Sequence, residues 1–304
     1  MEGSRPFDLE IDFDHARRAR TEEPPPLPGR SGRRKRPKRD RSETLARILW
    51  AIPWIAIVIT IVVVGGGVFA AAMVVFACIG LQEFFRMTES ARPFVTIAFA
   101  AAMGLAAAAY FGTERQMMIA LAASIPVIFT AAVLRGDRGS ITGSIAVTVF
   151  GIVWIGIPFA HAILLRELPD HGAELLVDVL VATFVCDTAA YAGGRMFGRH
   201  RLAPALSPNK TAEGLAFGVV GGTLGFWFAG LYQDWLPGLD ALLMGLCVAL
   251  LAPLGDLFES MIKRDLEVKD SGTIFGPHGG LLDRLDAVLF TIVAGYYLAL
   301  LFVY

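Results

Sequence analysis

Acidic, basic and glycine residues are concentrated between residues 256 and 286, and together they are suited to binding a metal ion and phosphates. Asp256 and Ser260 form an i,i+4 pair at the end of one apolar stretch. Asp283 and Asp286 form an i,i+3 pair at the start of the next apolar stretch. If both stretches are helices, each pair shares a helix face, and the two pairs can converge. Carboxylate oxygens are the ligands that Mg2+ prefers, and Mg2+ needs only one or two of them beside substrate phosphates.

The same segment supplies positive charge that could neutralise phosphate oxygens, namely Lys263, Arg264, Lys269 and Arg284. Gly276, Gly279 and Gly280 allow the backbone to approach a ligand closely. His278 lies in this glycine-rich turn and is predicted to face a ligand rather than fill a core. The alternative is that these charges form only surface salt bridges, each worth about 1 kcal/mol or less. Acids that adjoin apolar helices, as Asp187, Asp256 and Asp286 do, are costly and usually functional.

A second polar segment, residues 187–213, precedes another apolar stretch. Asp187 and Tyr191 are predicted to share a helix face, and the glycines of 193–201 are predicted to break that helix. Ser207 or Asn209 is expected to cap the following helix, whose N-terminus and Lys210 would suit a phosphate. Ordinary capping and loop charges are an equally acceptable explanation of this segment taken alone.

The rest of the chain indicates an all-α polytopic membrane protein. It has 304 residues, of which 55% are hydrophobic and 18% charged, with a mean hydropathy of +0.58; a soluble domain carries about 25% charged residues. Nine apolar stretches are each near the ~20 residues that cross a bilayer as a helix. They lie at 47–64, 67–86, 93–112, 116–134, 144–165, 173–193, 212–232, 238–258 and 285–303. Cys78, Cys186 and Cys247 have no metal-ligand spacing and are expected to pack as small residues.

The charges of the loops predict the orientation. With the N-terminus inside, cytoplasmic loops hold twelve Lys and Arg residues, and the other side holds Arg115 and Arg166. Residues 1–46 are predicted to be a disordered cytoplasmic tail, and 47–304 the membrane domain. The tail's basic run, Arg30 to Arg41, is expected to lie near anionic lipid rather than bind nucleic acid. An odd number of spans puts Tyr304 outside.

The motifs resemble the phosphatidate cytidylyltransferase (CDP-diacylglycerol synthase) family. Residues 260–286 match its signature, with Gly276-Pro277 where the family more often has Pro-Gly. Residues 187–198 and 207–214 resemble its two upstream motifs, with Asn209 where a basic residue is frequent. The similarity covers residues 47–304.

The resemblance implies that CTP and phosphatidate react to give CDP-diacylglycerol and pyrophosphate, through attack of the lipid phosphate on the CTP α-phosphorus. It implies Asp256 and Asp283 as Mg2+ ligands and leaves open a second cation such as K+. The implied catalytic groups are Asp256, Asp283, Lys210, Lys263, Arg264, Lys269, Arg284 and His278. The implied substrate-binding groups are Asp187, Tyr191, Arg195, Ser207, Asn209, Thr211, Glu213, Ser260, Asp270, Ser271, Gly279, Gly280 and Asp286. The expected location is the plasma (inner) membrane of a bacterium, and a homodimer is left open.

Two rival functions remain at this point. A related CTP-dependent membrane transferase would act on another lipid, as an isoprenoid kinase or an archaeal-lipid cytidylyltransferase does. A transporter or scaffold would show a polar path through the bilayer centre, and the polar residues of this chain gather instead near one side.

Overall fold

A computed structural model describes residues 56–136, 141–204, 206–272 and 279–304. The described chain contains nine helices and one short hairpin. The helices are α1 (56–64), α2 (Gly66–Met87), α3 (Val95–Phe111), α4 (Glu114–Arg135), α5 (Ile141–Arg166), α6 (Gly172–Phe197), α7 (Ala212–Ala229), α8 (Gly238–Asp265) and α9 (Leu282–Phe302). The hairpin pairs β1 (Arg201–Ala203) with β2 (Ser207–Thr211) in antiparallel orientation.

The helices confirm an all-α polytopic membrane protein. Seven of those in the described ranges are long and apolar enough to cross a membrane, and α3 is a shorter apolar helix of 17 residues. Each of the nine predicted spans coincides with a helix, although the start of the first span lies outside the described residues. Gly65 separates α1 from α2 with a φ of 63°, a conformation that glycine adopts at little cost.

Small residues set the close approach of α6, α7 and α8. A Cβ at Gly222 of α7 would lie 2.8 Å from Ala249 Cβ on α8 and 2.9 Å from Cys186 Cβ on α6. Gly218 has a similar position, where a Cβ would lie 2.9 Å from Ala190 Cβ. In lipid, apolar side chains gain little by leaving an equally apolar solvent, so helix association depends on close packing. Glycines at these positions allow that packing, because they let the helix backbones approach closely.

Pro253 inside α8 leaves the carbonyl of Ala249 without its usual helical donor, because proline has no N–H. The buried thiol of Cys186 donates to this carbonyl across the α6–α8 contact, at 3.5 Å. This contact agrees with the expectation that Cys186 packs as a small residue. The thiol also gives the Ala249 carbonyl a hydrogen-bond donor that α8 itself lacks.

Two predictions about the segment after α6 need correction. The helix does not break at Gly193 and Gly194, because both glycines face α7, where a Cβ at Gly193 would collide with Phe217. It ends at Phe197, before Gly198, which lies within the predicted range 193–201. Ser207 and Asn209 do not cap α7. They belong to β2, and Thr211 is the N-cap, whose hydroxyl accepts from the Gly214 N–H at 3.1 Å.

Polar residues at the opposite end of α6 have structural partners. Asp178 is buried and accepts from Gln233 Nε2 at 2.8 Å. Glu174 accepts from Trp235 Nε1 at 2.7 Å, and the Trp235 ring stacks on His171. The contact with Gln233 gives Asp178 a structural role as a hydrogen-bond acceptor.

Candidate active site

The crossing of α8 and α9 brings the two predicted acidic pairs to one place. Gly255 lies against the α9 backbone so tightly that a Cβ there would lie 2.5 Å from the Asp286 carbonyl oxygen and 3.0 Å from the Ala287 Cα. Asp256, the next residue, is therefore held beside Asp286. Any larger residue at position 255 would separate these carboxylates.

A third helix adds Asp187 to this pair. The contact of Cys186 with Ala249 fixes α6 against α8, and Asp187 follows Cys186 directly. The charges of Asp187, Asp256 and Asp286 lie close enough to interact with one another. Across the described ranges, no three His, Cys, Asp or Glu side chains form a ready-made metal-binding group. The three carboxylates form an acidic cluster where α6, α8 and α9 meet.

Strand β2 positions a lysine, Lys210, beside this acidic cluster. Lys210 Nζ lies 2.5 Å from Asp256 Oδ2, and Ser260 Oγ lies 3.4 Å from Asp256 Oδ1. Arg264 Nε donates to the Leu206 carbonyl at 3.3 Å, which attaches the hairpin to the end of α8. The hairpin, which sequence patterning did not predict, is the element that positions Lys210.

Glu213 on the first turn of α7 closes the base of the hairpin. Its carboxylate accepts from the Arg199 N–H at 3.0 Å and from the His200 N–H at 3.2 Å. His200 Nδ1 also lies 2.6 Å from Glu213 Oε1. These contacts fix where the chain leaves α6 and enters β1.

A buried ion network lies one turn farther along α8. Lys263 Nζ donates to Asp283 Oδ1 at 2.7 Å and to Glu259 Oε2 at 3.0 Å. The Glu259 side chain is 1% exposed, and those of Asp283 and Lys263 are 11% and 15% exposed. Glu259 is not among the site residues predicted from the sequence. Lys263 holds two carboxylates from two helices and so fixes α8 to α9.

The second oxygen of Asp283 is fully engaged by the preceding loop. Asp283 Oδ2 accepts from the Ser271 N–H and hydroxyl, both at 2.9 Å, and from the Gly280 N–H at 2.8 Å. Gly279 has a φ of 84°, and a Cβ there would lie 2.6 Å from Asp283 Oδ2. The close approach at Gly279 is therefore made to a carboxylate of the chain itself.

Glu83 of α2 is a buried member of this region that sequence reasoning missed. It accepts from the Leu281 N–H at 2.9 Å, the Leu282 N–H at 3.0 Å and the Ser271 hydroxyl at 3.2 Å. A single acid inside an otherwise apolar stretch was the signal that could have revealed it.

The remaining predicted residues lie around these contacts. Tyr191 accepts from Arg195 Nη1 at 3.1 Å on the exposed last turns of α6. The side chains of Arg264, Lys269, Asp270 and Arg284 are exposed near the ion network. Ser207 and Asn209 lie in β2 beside Lys210. His278 lies outside the described residues.

The donor chemistry of Asp256 and Asp283 fits a hard cation such as Mg2+. Each carboxylate already faces a positive charge, because Lys210 contacts Asp256 and Lys263 contacts Asp283. Because Asp283 Oδ2 already accepts three hydrogen bonds, Oδ1, which faces Lys263, is the oxygen that would hold a cation.

Sequence comparison relates the chain to known proteins. The sequence profile of the cytidylyltransferase family matches residues 45–302. A Synechocystis protein named phosphatidate cytidylyltransferase is 31% identical over 300 residues, covering 84% of this chain and 96% of that protein. A Bacillus subtilis protein of the same name is 39% identical over 151 residues, which are 49% of this chain and 56% of the relative. A Mycobacterium bovis protein, also of that name, is 36% identical over 159 residues, 52% of this chain and 51% of its own length. With its profile match extending over nearly all nine helices, this nucleotidyltransferase belongs to the cytidylyltransferase family.

Proposed function

We propose that the protein is a phosphatidate cytidylyltransferase that converts CTP and phosphatidate into CDP-diacylglycerol and pyrophosphate. The observation that carries this proposal is the convergence of two lysine–carboxylate pairs, Lys210–Asp256 and Lys263–Asp283, at one end of the apolar helices. A reaction between a nucleoside triphosphate and a lipid phosphate brings many negative charges to the membrane surface, and such a site can neutralise them. The names of the relatives support the same reaction.

In the proposed reaction, an oxygen of the lipid phosphate monoester attacks the α-phosphorus of CTP. The bond between the α-phosphorus and the bridging oxygen breaks, and pyrophosphate leaves with that oxygen. The monoester is already ionised near neutral pH, because its second pKa is about 6, so no general base is needed. The protein contributes positioning and charge neutralisation, and no covalent enzyme intermediate is required.

The residues divide this work by position. Lys210 and Lys263 are placed to bind phosphate oxygens, with the exposed Arg264, Lys269 and Arg284 at the rim. Asp256 and Asp283 would hold a Mg2+ ion, which when bound supplies Lewis-acid polarisation of a phosphoryl oxygen. Asp187 and Asp286 lie close enough to Asp256 for their charges to repel, and a cation bound here would offset that repulsion.

The orientation of the chain completes the proposal. The excess of Lys and Arg in the loops at the site's end favours a cytoplasmic location for that end, where CTP is available. The N-terminus would then also be cytoplasmic, and a bacterial plasma membrane is the proposed location.

The decisive experiment incubates purified protein with CTP, Mg2+ and phosphatidate and measures CDP-diacylglycerol and pyrophosphate. Parallel reactions replace phosphatidate with an isoprenoid alcohol, for which a kinase would release CDP, or with an unsaturated archaeal-type ether lipid phosphate, for which a cytidylyltransferase would release pyrophosphate. Equal amounts of CDP-lipid and pyrophosphate from phosphatidate are expected. Turnover confined to one of the other lipids would replace the proposal with the rival transferase, and lack of turnover with any lipid would refute both.

A further inference from the structure

The buried carboxylate of Glu83 is joined to the part of the chain that carries the site, although it lies on the second helix. Its side chain is 1% exposed. It accepts hydrogen bonds from Ser271, Leu281 and Leu282, which follow it by 188 to 199 positions. Burying a carboxylate costs solvation free energy, so the contacts that a buried carboxylate makes indicate its role.

The first contact is with the start of α9. The first N–H groups of a helix have no partner within the helix and need acceptors. Here Glu83 accepts from Leu281 and Leu282, and Asp283 Oδ2 accepts from Gly280. The Asp283 N–H donates to Ser271 Oγ at 3.3 Å. The N–H groups of residues 280 to 283, where the chain enters α9, are thus satisfied by side chains, and negative charge is placed where the helix dipole favours it.

The second contact is with Ser271, which bridges Glu83 and Asp283. Its Oγ lies 3.2 Å from Glu83 Oε2 and 2.9 Å from Asp283 Oδ2, and a hydroxyl has one proton to donate. The two carboxylates therefore share one hydroxyl, and the position of one affects the other.

Two glycines are fitted around the same carboxylate. A Cβ at Gly272 would lie 2.5 Å from Glu83 Oε1, and a Cβ at Gly280 would lie 2.5 Å from Glu83 Oε2. The chain therefore touches Glu83 where it leaves Ser271 and again where it enters α9. These glycines are required by a contact with α2.

We propose that Glu83 is a positioning residue, which through Ser271 and the first N–H groups of α9 sets the orientation of Asp283 in the active site. Asp283 keeps Oδ1 directed to Lys263 because Oδ2 is held by Ser271 and Gly280. Glu83 in turn holds Ser271 and the backbone beside Gly280. Its effect on turnover rests on the proposed function, and its effect on the local structure does not.

The structural arm of the test measures hydrogen–deuterium exchange in the purified, detergent-solubilised full chain without substrates. In Glu83→Gln, the amides of Leu281 and Leu282 are expected to exchange roughly tenfold faster or more, because a glutamine offers one acceptor oxygen in place of two. Gly272→Ala, which pushes on Glu83 from the other side, should have the same local effect. The matched controls are Glu89→Gln, an exposed acid near the same end of α2, and Gly104→Ala, whose Cβ would have nothing within 4 Å.

The kinetic arm separates positioning from general loss of structure. Glu83→Gln is expected to lower kcat roughly 10- to 100-fold, as loss of a residue that orients a site carboxylate does. Its KM for CTP should stay within about threefold of wild type. In a Ser271→Ala background the same substitution should have a smaller effect, because the path from Glu83 to Asp283 is already cut.

Three results would overturn the proposal. They are unchanged exchange at Leu281 and Leu282 in both variants, an increase in exchange spread evenly through α6 and α9, and fully additive kinetic effects of Glu83→Gln and Ser271→Ala. If Glu83→Gln does not fold, Gly272→Ala decides the exchange arm. If the wild-type protein does not turn over phosphatidate, the proposed function fails while the exchange arm still decides the role of Glu83.

Discussion

Replacing either of the two site lysines by methionine should abolish most turnover, but the two changes should differ in their effect on stability. Lys263 Nζ neutralises two carboxylates, Glu259 and Asp283, whose side chains are 1% and 11% exposed. Removing it leaves two buried charges without their cation, which typically costs about 3–5 kcal/mol. Lys210 contacts a single carboxylate, Asp256, and these two side chains are 24% and 33% exposed. Removing Lys210 leaves a single carboxylate that is partly open to solvent, so the cost is expected to be smaller, on the order of 1 kcal/mol.

The assay is the thermal unfolding midpoint of the detergent-solubilised protein, followed by tryptophan fluorescence. Lys263→Met should lower the midpoint several times more than Lys210→Met does. The control is the double variant Lys263→Met/Glu259→Leu, which also removes one of the two carboxylates left without a cation. It should recover much of the lost unfolding midpoint, because an apolar replacement of a buried ion pair is often neutral. Equal shifts for the two single variants, or no recovery in the double variant, would refute the reasoning from burial.

Three further outcomes are expected. Thr211→Val removes the N-cap of α7 and should lower the stability by about 1 kcal/mol, measured as a lower unfolding midpoint. Ser207→Ala should leave the midpoint unchanged, and equal effects of the two variants would contradict the capping assignment. Gly222→Ala should destabilise the protein by about 1–3 kcal/mol through overpacking against Ala249 and Cys186. Gly104→Ala, whose Cβ lies in open space, should not, and a Gly222→Ala variant as stable as wild type would disprove the tight helix crossing. EDTA should stop turnover and added Mg2+ should restore it, and turnover that persists in EDTA would exclude the proposed cation.

The positions of the helices could be predicted because a bilayer leaves few choices. A backbone in hydrocarbon must satisfy its own hydrogen bonds, so each apolar stretch of about 20 residues has to be a helix. The second predicted span, 67–86, and the ninth, 285–303, differ from α2 and α9 by a few residues at the ends. The same reasoning correctly placed the acids of residues 256 and 286 on facing helix ends.

The local structure after α6 could not be predicted in the same way. Gly193 and Gly194 look like helix breakers until Phe217 and Gly214 are placed against them, and only then does their lack of a side chain become a packing requirement. The β1–β2 hairpin depends on Glu213, fourteen residues from Arg199, and propensity carries no information about that contact.

The partners of the charged residues also depend on the folded chain. Sequence spacing suggested that Lys263 would bind phosphate, but it did not show that Glu259 and Asp283 share its ammonium. Glu83 shows the same limit, because its partners lie at the other end of the chain and no local pattern connects them.

The long separation between Glu83 and its donors has a consequence for biogenesis. A ribosome delivers α2 to the membrane well before α9 exists, so during synthesis the Glu83 carboxylate lies in an apolar helix whose hydrogen-bond donors have not yet been made. The arrival of α9 supplies those donors and, in the same event, orients Asp283. Completion of the last helix is thus coupled to maturation of the site, and a chain that stops short of residue 282 inserts as a set of helices without becoming an enzyme.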